Sequence, residues 1–481
     1  NMKPNDFYAH LYGRHNGVTG SCFLLSVHFP DKRNIRCLID CGNFQGNDNN
    51  SYLDLNDVIP FDAKKIDFVL ITHNHIDHIG LLPLLIHQGY TGPIYLSKPG
   101  YSLIDIPINE AWKVNCKNKA YPSYTREDVE QLFKQLIGIS FNQKIFPKKN
   151  VEVTFLPNGH IVGASLIEIK LSYDNKESIK ILFTGDYNNK NLFFDVEELP
   201  IEHRESPYSL VVCESTYGDV DSTSSRFKPV LFDAIKNAIE QKKKVIIPTF
   251  AMGRTQEILY FIKVMQDKGL LSKEIPIWQG GTSAREITNR FHYDSLGLRS
   301  EMKNFLPKNF HFVSSKEINS ICKTLLDNDE PSIIISPSGM ASYGAIKSFI
   351  SKAINREDVL IAFPGHCTAD SKGSELINTP KGSNISYGGD IHTRYCDIIV
   401  SGEVSAHAKR DELLYLLKEE LCSPKSILVN HGEQDVREKF VKYLRENFSL
   451  NTIIENFSPD YGYEITFNGL SKIFLSKFQL F

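Results

Sequence analysis

The chain has 481 residues, too many for one compact core, because cores stop growing near roughly 250–300 residues. Hydrophobic residues make up 41% and charged residues 23%, an ordinary globular balance. The net charge of −3 excludes a globally basic chain, so a nucleic-acid site would have to be a local basic groove. In chain order, the segments SCFLLSVHF, RCLIDC, DFVLIT, PIYLS, VEVTFLP, SLIEIKLSY and IKILFTGD are each of strand length. They are rich in Val, Ile, Leu and Phe, and most are bounded by Gly, Pro, Asn or Asp. One helix interrupts them, YTREDVEQLFKQLIG. It has Thr125 as N-cap, acids in its first turn, and apolar Val129, Leu132, Phe133 and Leu136.

Near Ser206 the rhythm changes. SLVVCEST, KVIIPTF, IPIWQG, PSIIISPSG, DVLIAFPG and DIIVSGEV are near-continuous apolar runs. Most alternate with helix-length segments: FKPVLFDAIKNAIEQKK, TQEILYFIKVMQDKG, SAREITNRFHYDSLG and AIKSFISKAI. Buried strands alternating with helices predict a parallel α/β sheet. After SILVNHGE the chain closes with one helix, VREKFVKYLREN, and short strands. No internal repeat or low-complexity tract is present.

Chemistry concentrates in THNHIDHIG, Thr72 to Gly80. His73, His75, Asp77 and His78 follow an apolar strand, and Gly80 lets the chain turn into the helical LLPLLI. A loop leaving a strand can aim all four side chains at a common centre. Imidazole and carboxylate are ligands that zinc accepts. Four ligands could fill one tetrahedral site, or serve two metals and leave open positions. Three further polar residues stand at the ends of apolar strands: His160 in NGHIVGAS, Asp186 in LFTGDYN and His431 in VNHGE. Seven ligands would suit two metals about 3.5–4 Å apart. Taken alone, His160 or His431 reads equally as a hydrogen-bonded structural histidine; the HxHxDH block makes them ligand candidates.

The order LID (Asp40), HxHxDH, GHIVGAS and TGD resembles the metallo-β-lactamase fold of hydrolases, which by itself names no substrate. VVCESTYGD with Glu214, GEVSAHA with His407 and ILVNHGEQ with His431 resemble motifs A, B and C of the β-CASP nucleases. PTFAMGRTQEIL, SPSGM and YTREDVEQL also look like that family, and the resemblance runs from about Tyr8 to Leu470. GHCTADSKG departs from the eukaryotic pattern at Asp370 and Ser371.

The resemblance implies an α/β metallo-β-lactamase αββα sandwich with an inserted β-CASP domain. The expected limits are 1–208 and 397–481 for the sandwich and 209–396 for the insert. It places His73, His75 and His160 on one Zn2+ ion and Asp77, His78 and His431 on the other, with Asp186 bridging. It makes His407 the general acid, held by Glu214. Asp40 orients a ligand loop or imidazole from behind, or caps backbone amides; both readings stay open. Arg254, Thr282, Ser283, Ser338 and Gly339 are candidate phosphate contacts at helix N-termini, with ordinary helix capping as the alternative.

The implied function is a two-metal ribonuclease acting on single-stranded RNA. RNA-acting members resemble this chain in having histidine at the position of His431, where DNA-acting members such as Artemis have valine. A DNA-acting nuclease of the same fold and a non-catalytic RNA-binding scaffold are the alternatives. Whether the chain works as a homodimer or in a larger processing complex stays open. Nine cysteines without a CxxC pair read as a reduced, cytoplasmic chain. The first residues carry no apolar signal core, Asn1 reads as a tag scar, and no stretch reaches the roughly 20 apolar residues of a membrane span.

Overall fold

Among the residues that the computed structural model describes, 6–45, 55–365 and 367–474, the predicted early strands pair into two sheets. One has eight strands, in the order Gly469–Phe474, Tyr461–Thr466, Tyr8–Gly13, Phe23–His28, Asn34–Ile39, Phe68–Leu70, Ile94–Ser97 and Leu136–Ile139. The other has seven, in the order Ile453–Asn456, Ser426–Val429, Leu210–Cys213, Ile179–Phe183, Ser165–Leu171, Val151–Pro157 and Lys144–Lys148.

Strand alternation explains the layers. Residues such as Leu25, Phe68, Val153, Ile169 and Ile181 point inward and share one core between the sheets. The opposite face of the first sheet, including Leu24, Leu38 and Val69, packs on Leu82, Leu85, Ile108, Val129 and Leu132 of the helices Leu82–His87, Asp105–Asn118 and Arg126–Gln135. The outer face of the second sheet, including Leu182 and Val211, packs on Leu413, Phe440 and Leu444 of the helices Arg410–Tyr415 and Gln434–Asn447. The result is the expected αββα sandwich.

The second unit, Thr223–Ala406, is built on a six-stranded sheet in the order Phe310–Val313, Ile277–Gly280, Ser332–Ser336, Lys244–Pro248, Val359–Phe363 and Asp397–Val400. Every pairing is parallel. Its central strands are buried at every position, which is why they read as continuous apolar runs. The helices Leu231–Glu240, Arg254–Asp267, Thr282–Arg290 and Ile346–Ala353 form where helical periodicity predicted them.

Several elements differ from the sequence reading. The units part after Ser222 and before His407, whereas the reading set these limits at 208 and 396. Two strands account for the difference. Leu210–Cys213 pairs with Ile179–Phe183 and Ser426–Val429 in the sandwich, and Asp397–Val400 pairs with Val359–Phe363 in the inserted unit. The helix starting at Thr125 has its capping box with Asp128 but stops at Gln135. Leu136–Ile139 instead pairs in parallel with Ile94–Ser97, because Gly138 weakens the helix while Leu136 and Ile139 gain burial against the sheet. The helix Asp105–Asn118 escaped the reading because only Ile106 and Ile108 of its residues are buried and Pro107 interrupts its start.

A buried polar cluster lies on the outer face of the seven-stranded sheet. Lys180 donates to the carbonyls of His203 and Ser206 at 3.0 and 2.9 Å, and its ammonium lies over the Tyr208 ring. Glu168 accepts from Tyr208 at 2.7 Å and from His203. Burial alone would raise the Glu168 carboxyl, but the bond and charge of His203 and the Tyr208 hydroxyl hold it below its ordinary value. These contacts pin the connection 201–208 to the sheet.

Candidate metal centre

All the predicted metal-ligating residues lie in the sandwich unit, each just past the carboxyl end of a strand. Asp40 follows Asn34–Ile39, the HxHxDH turn follows Phe68–Leu70, His160 follows Val151–Pro157 and Asp186 follows Ile179–Phe183. Glu214 follows Leu210–Cys213, and His431 follows Ser426–Val429. Strands Val151–Pro157, Ile179–Phe183, Leu210–Cys213 and Ser426–Val429 all run the same way, so their ends meet at one edge. Ser165 donates its backbone N–H to Thr72 O at 2.8 Å and joins that edge to the histidine turn. Asp40 and His431 sit at φ +62° and +52°, sharp turns that send their side chains to the same place.

The side chains fall into two groups. His73, His75, His160 and Asp186 form one, and Asp77, His78, Asp186 and His431 the other; within each, one ligand atom per residue lies within 4.8 Å of the rest. Asp186 belongs to both. Its Oδ2 is 3.5 Å from His73 Nε2 and 3.6 Å from His160 Nε2. Its Oδ1 is 3.0 Å from His431 Nε2 and 3.3 Å from His78 Nε2. Asp77 Oδ2 is 3.4 Å from His78 Nε2 and 3.9 Å from His431 Nε2.

These residues fit a metal. His73 Nε2, His78 Nε2, His431 Nε2 and Asp186 Oδ1 are buried without a hydrogen bond, an arrangement that is costly unless something else takes their lone pairs. Imidazole nitrogens and carboxylate oxygens are the donor set of zinc. The electrostatics agree. Burial lowers His73 and drives His160 well below its ordinary value, with His407 and His73 adding to the effect on His160. Burial also opposes charge on His78 and His431, yet the carboxylates win: Asp186, Asp77 and Asp40 hold His78 well above its usual range, and Asp186 with Asp77 lifts His431 to about 10. Asp186 itself, despite burial, is held far down by His431, His78 and His73.

The ligands are held from behind. Asp40 accepts from Thr72 N at 2.8 Å and Thr72 Oγ1 at 2.7 Å, and takes His78 Nδ1 at 2.7 Å, which turns His78 Nε2 into the centre. His407 Nδ1 donates to Glu214 Oε1 at 2.7 Å. Glu214 is 2% exposed, and its carboxylate also accepts from Tyr187 N and Thr216 N, each at 2.8 Å. The His407 ring lies 4.7 Å from that of His160 and 6.1 Å from that of His431, centroid to centroid.

Arg254, Thr282, Ser283, Ser338 and Gly339 lie in the inserted unit. Arg254 is 7% exposed and donates to Glu257 at 2.8 Å, so its guanidinium has a carboxylate partner where the sequence reading gave it a phosphate. The two residues are one helical turn apart, and a buried charge takes the nearest opposite charge. Ser338 Oγ accepts from Ser342 N and Tyr343 N, both at 3.1 Å, and so shapes its own turn. A side chain on Gly339 would strike Phe250 at 2.9 Å, which makes this turn a neighbour of the turn leading to Arg254. Thr282 is exposed and Ser283 buried at the start of Thr282–Arg290, after Gly281 at φ +92°.

Three residues around the centre were not singled out from sequence: Thr72, Asn158 and Arg437. Arg437 on the closing helix donates to Asn16 O at 2.9 Å and Gly432 O at 2.5 Å, tying the His431 turn to the loop after the first strand. Among these, only Thr72 carried a sequence signal, a polar residue beside a candidate ligand.

Comparison with known proteins gives concordant matches. Three family models match: a metallo-beta-lactamase superfamily domain over residues 30–194, a Beta-Casp domain over 255–376, and a Zn-dependent metallo-hydrolase RNA specificity domain over 392–456. The transcription termination factor FttA of Methanosarcina mazei is 28% identical over 440 residues, which cover 87% of this chain and 65% of that one. Integrator complex subunit 11 of Danio rerio is 25% identical, covering 91% of this chain and 71% of that one. A ribonuclease of Thermus thermophilus is 29% identical, covering 88% of this chain and 93% of that one. The chain therefore spans less than two thirds of the archaeal factor and nearly all of the bacterial ribonuclease.

Proposed function

We propose that the chain, which matches a metallo-beta-lactamase superfamily domain, a Beta-Casp domain and a Zn-dependent metallo-hydrolase RNA specificity domain, is a zinc-dependent ribonuclease that hydrolyses phosphodiester bonds of single-stranded RNA. The observation that carries this reading is Asp186, whose two oxygens face two separate sets of imidazoles. His73, His75 and His160 would hold one zinc, Asp77, His78 and His431 a second, and Asp186 both. When bound, such a pair supplies an acidified water and positive charge against the phosphate oxygens.

The chain's own residues do the rest. Asp40 holds His78 in the orientation that presents Nε2. Glu214 holds the Nδ1–H of His407, so Nε2 is the ring atom that delivers a proton to the leaving ribose 3′-oxygen. Two backbone amides fix the Glu214 carboxylate, which keeps the His407 ring from rotating away. The helix start at Thr282 and Ser283 is proposed to meet RNA phosphates through its backbone amides. In the Ser338–Gly339 turn, which lies before the helix Ile346–Ala353 and not at its start, Ser338 N already donates to Tyr343 O at 3.0 Å, which leaves the amide of Gly339 as the proposed contact. Arg254, bound to Glu257, is read as structural. The nine cysteines, an odd number without a CxxC pair, are the basis for reading the compartment as the cytoplasm.

The choice of RNA rests on His431 and on the relatives, one of which is named a ribonuclease. A non-catalytic scaffold is disfavoured because all seven ligand positions are filled. The test uses matched single-stranded RNA, single-stranded DNA and duplex oligonucleotides at equal concentration and fixed salt. Single-stranded RNA should be cut fastest. DNA cut as quickly would move the protein to the DNA-acting class.

A further inference from the structure

We propose that Asn158 is a positioning residue that fastens the His160 loop to the Asp186 loop and thereby sets how tightly the centre holds its metal. The inference rests on the reading that His160 and Asp186 are ligands.

Asn158 is 1% exposed and sits between the strand Val151–Pro157 and His160. Its Nδ2 donates to Thr184 O at 3.1 Å and to Asp186 O at 2.7 Å. Its Oδ1 accepts from His160 N at 3.0 Å and from Asn188 N at 3.2 Å. Two carbonyls lie on one side and two N–H groups on the other, so a flipped amide would face four mismatched partners. Both amide protons are used, and the backbones of two ligands are bonded to one side chain.

The loops are also packed backbone to backbone. Gly159 N donates to Asn188 O at 2.9 Å, and a Cβ at Gly159 would lie 2.8 Å from Asn188 O and 2.7 Å from Lys190 O. The side chain of Asn158 therefore works inside a contact that already brings the loops together, and it fixes their register at the two ligand residues. Ligands supplied by different strands bind a metal well only when their separation is set beforehand. His160 and Asp186 belong to one candidate group, and Asp186 is shared with the other, so the bond bears on both.

The test is zinc loss from the full chain into excess chelator, followed with a colorimetric indicator, for wild type, Asn158→Ala and Asn158→Asp. Glu168→Gln serves as a control, because it disturbs a buried polar cluster on the outer face of the same sheet. Asn158→Asp keeps the size of the side chain and both acceptor contacts but sets a carboxylate oxygen against two carbonyls. Both Asn158 variants should release zinc about 10–100-fold more readily than wild type, the effect usual for a residue that orients ligands. Glu168→Gln should melt earlier yet hold zinc as wild type does. Wild-type zinc retention in a folded Asn158 variant overturns the proposal, as does equal zinc loss from Glu168→Gln. If Asn158→Ala does not fold, the isosteric Asn158→Asp decides. Wild-type protein that takes up no zinc would instead overturn the metal-centre reading, a separate result.

Discussion

His407→Ala is expected to keep its metal and lose RNA turnover by about 10²–10⁴-fold, the range for removing a positioned general acid or base. His407 belongs to neither candidate metal group, yet its ring lies beside His160 and its Nδ1 is held by Glu214 at 2.7 Å. A ribose 3′-oxygen leaves poorly without a proton, so the loss should appear in the chemical step. It should shrink with a substrate whose leaving group is a good one, such as a nitrophenolate ester. Metal analysis and single-turnover rates on both substrates are the measurements. Cleavage at the wild-type rate on ordinary RNA would remove His407 from the mechanism.

Asp186→Asn should have the larger effect. An amide has the carboxylate's shape but lacks its charge, and its nitrogen cannot bind a metal. Because one oxygen faces His73 and His160 and the other faces His78 and His431, the substitution replaces one group's oxygen with an NH2 and leaves the other group an uncharged amide oxygen, weakening both. Metal affinity should fall by more than about 100-fold, beyond the roughly 10–100-fold typical of a residue behind the ligands. Activity should fall with it. In His75→Ala, by contrast, the second group stays intact, so partial metal retention is the expected result. Full metal retention in Asp186→Asn would show that this carboxylate does not bridge.

Much of this site was legible in the sequence because its residues follow a local rule. HxHxDH crowds four donors into one turn, and His160, Asp186 and His431 are polar residues that end apolar strands. The pairing of His407 with Glu214 was legible only through resemblance, since 193 positions separate them. Asn158 and Arg437 stayed hidden because their value lies in backbone atoms of other loops, which no spacing reveals. Arg254 illustrates a related limit of spacing: a guanidinium at a helix start suits a phosphate, and only the fold shows it buried with Glu257 as a partner. Among strands, Lys144–Lys148 was missed because it is a sheet edge, with Pro147 and exposed Lys144, Phe146 and Lys148 in place of an apolar run. Leu136–Ile139 was absorbed into a helix because its partner strand lies 42 positions earlier in the register, Ile94 opposite Leu136.

The most direct test of the account is to strip the protein with chelator, remove the chelator, and return zinc stepwise while following hydrolysis of a labelled single-stranded RNA. The account predicts no cleavage in the stripped protein and a return of activity that saturates at about two zinc ions per chain. RNA cleavage that survives complete stripping, or activity that saturates at one zinc, would contradict it.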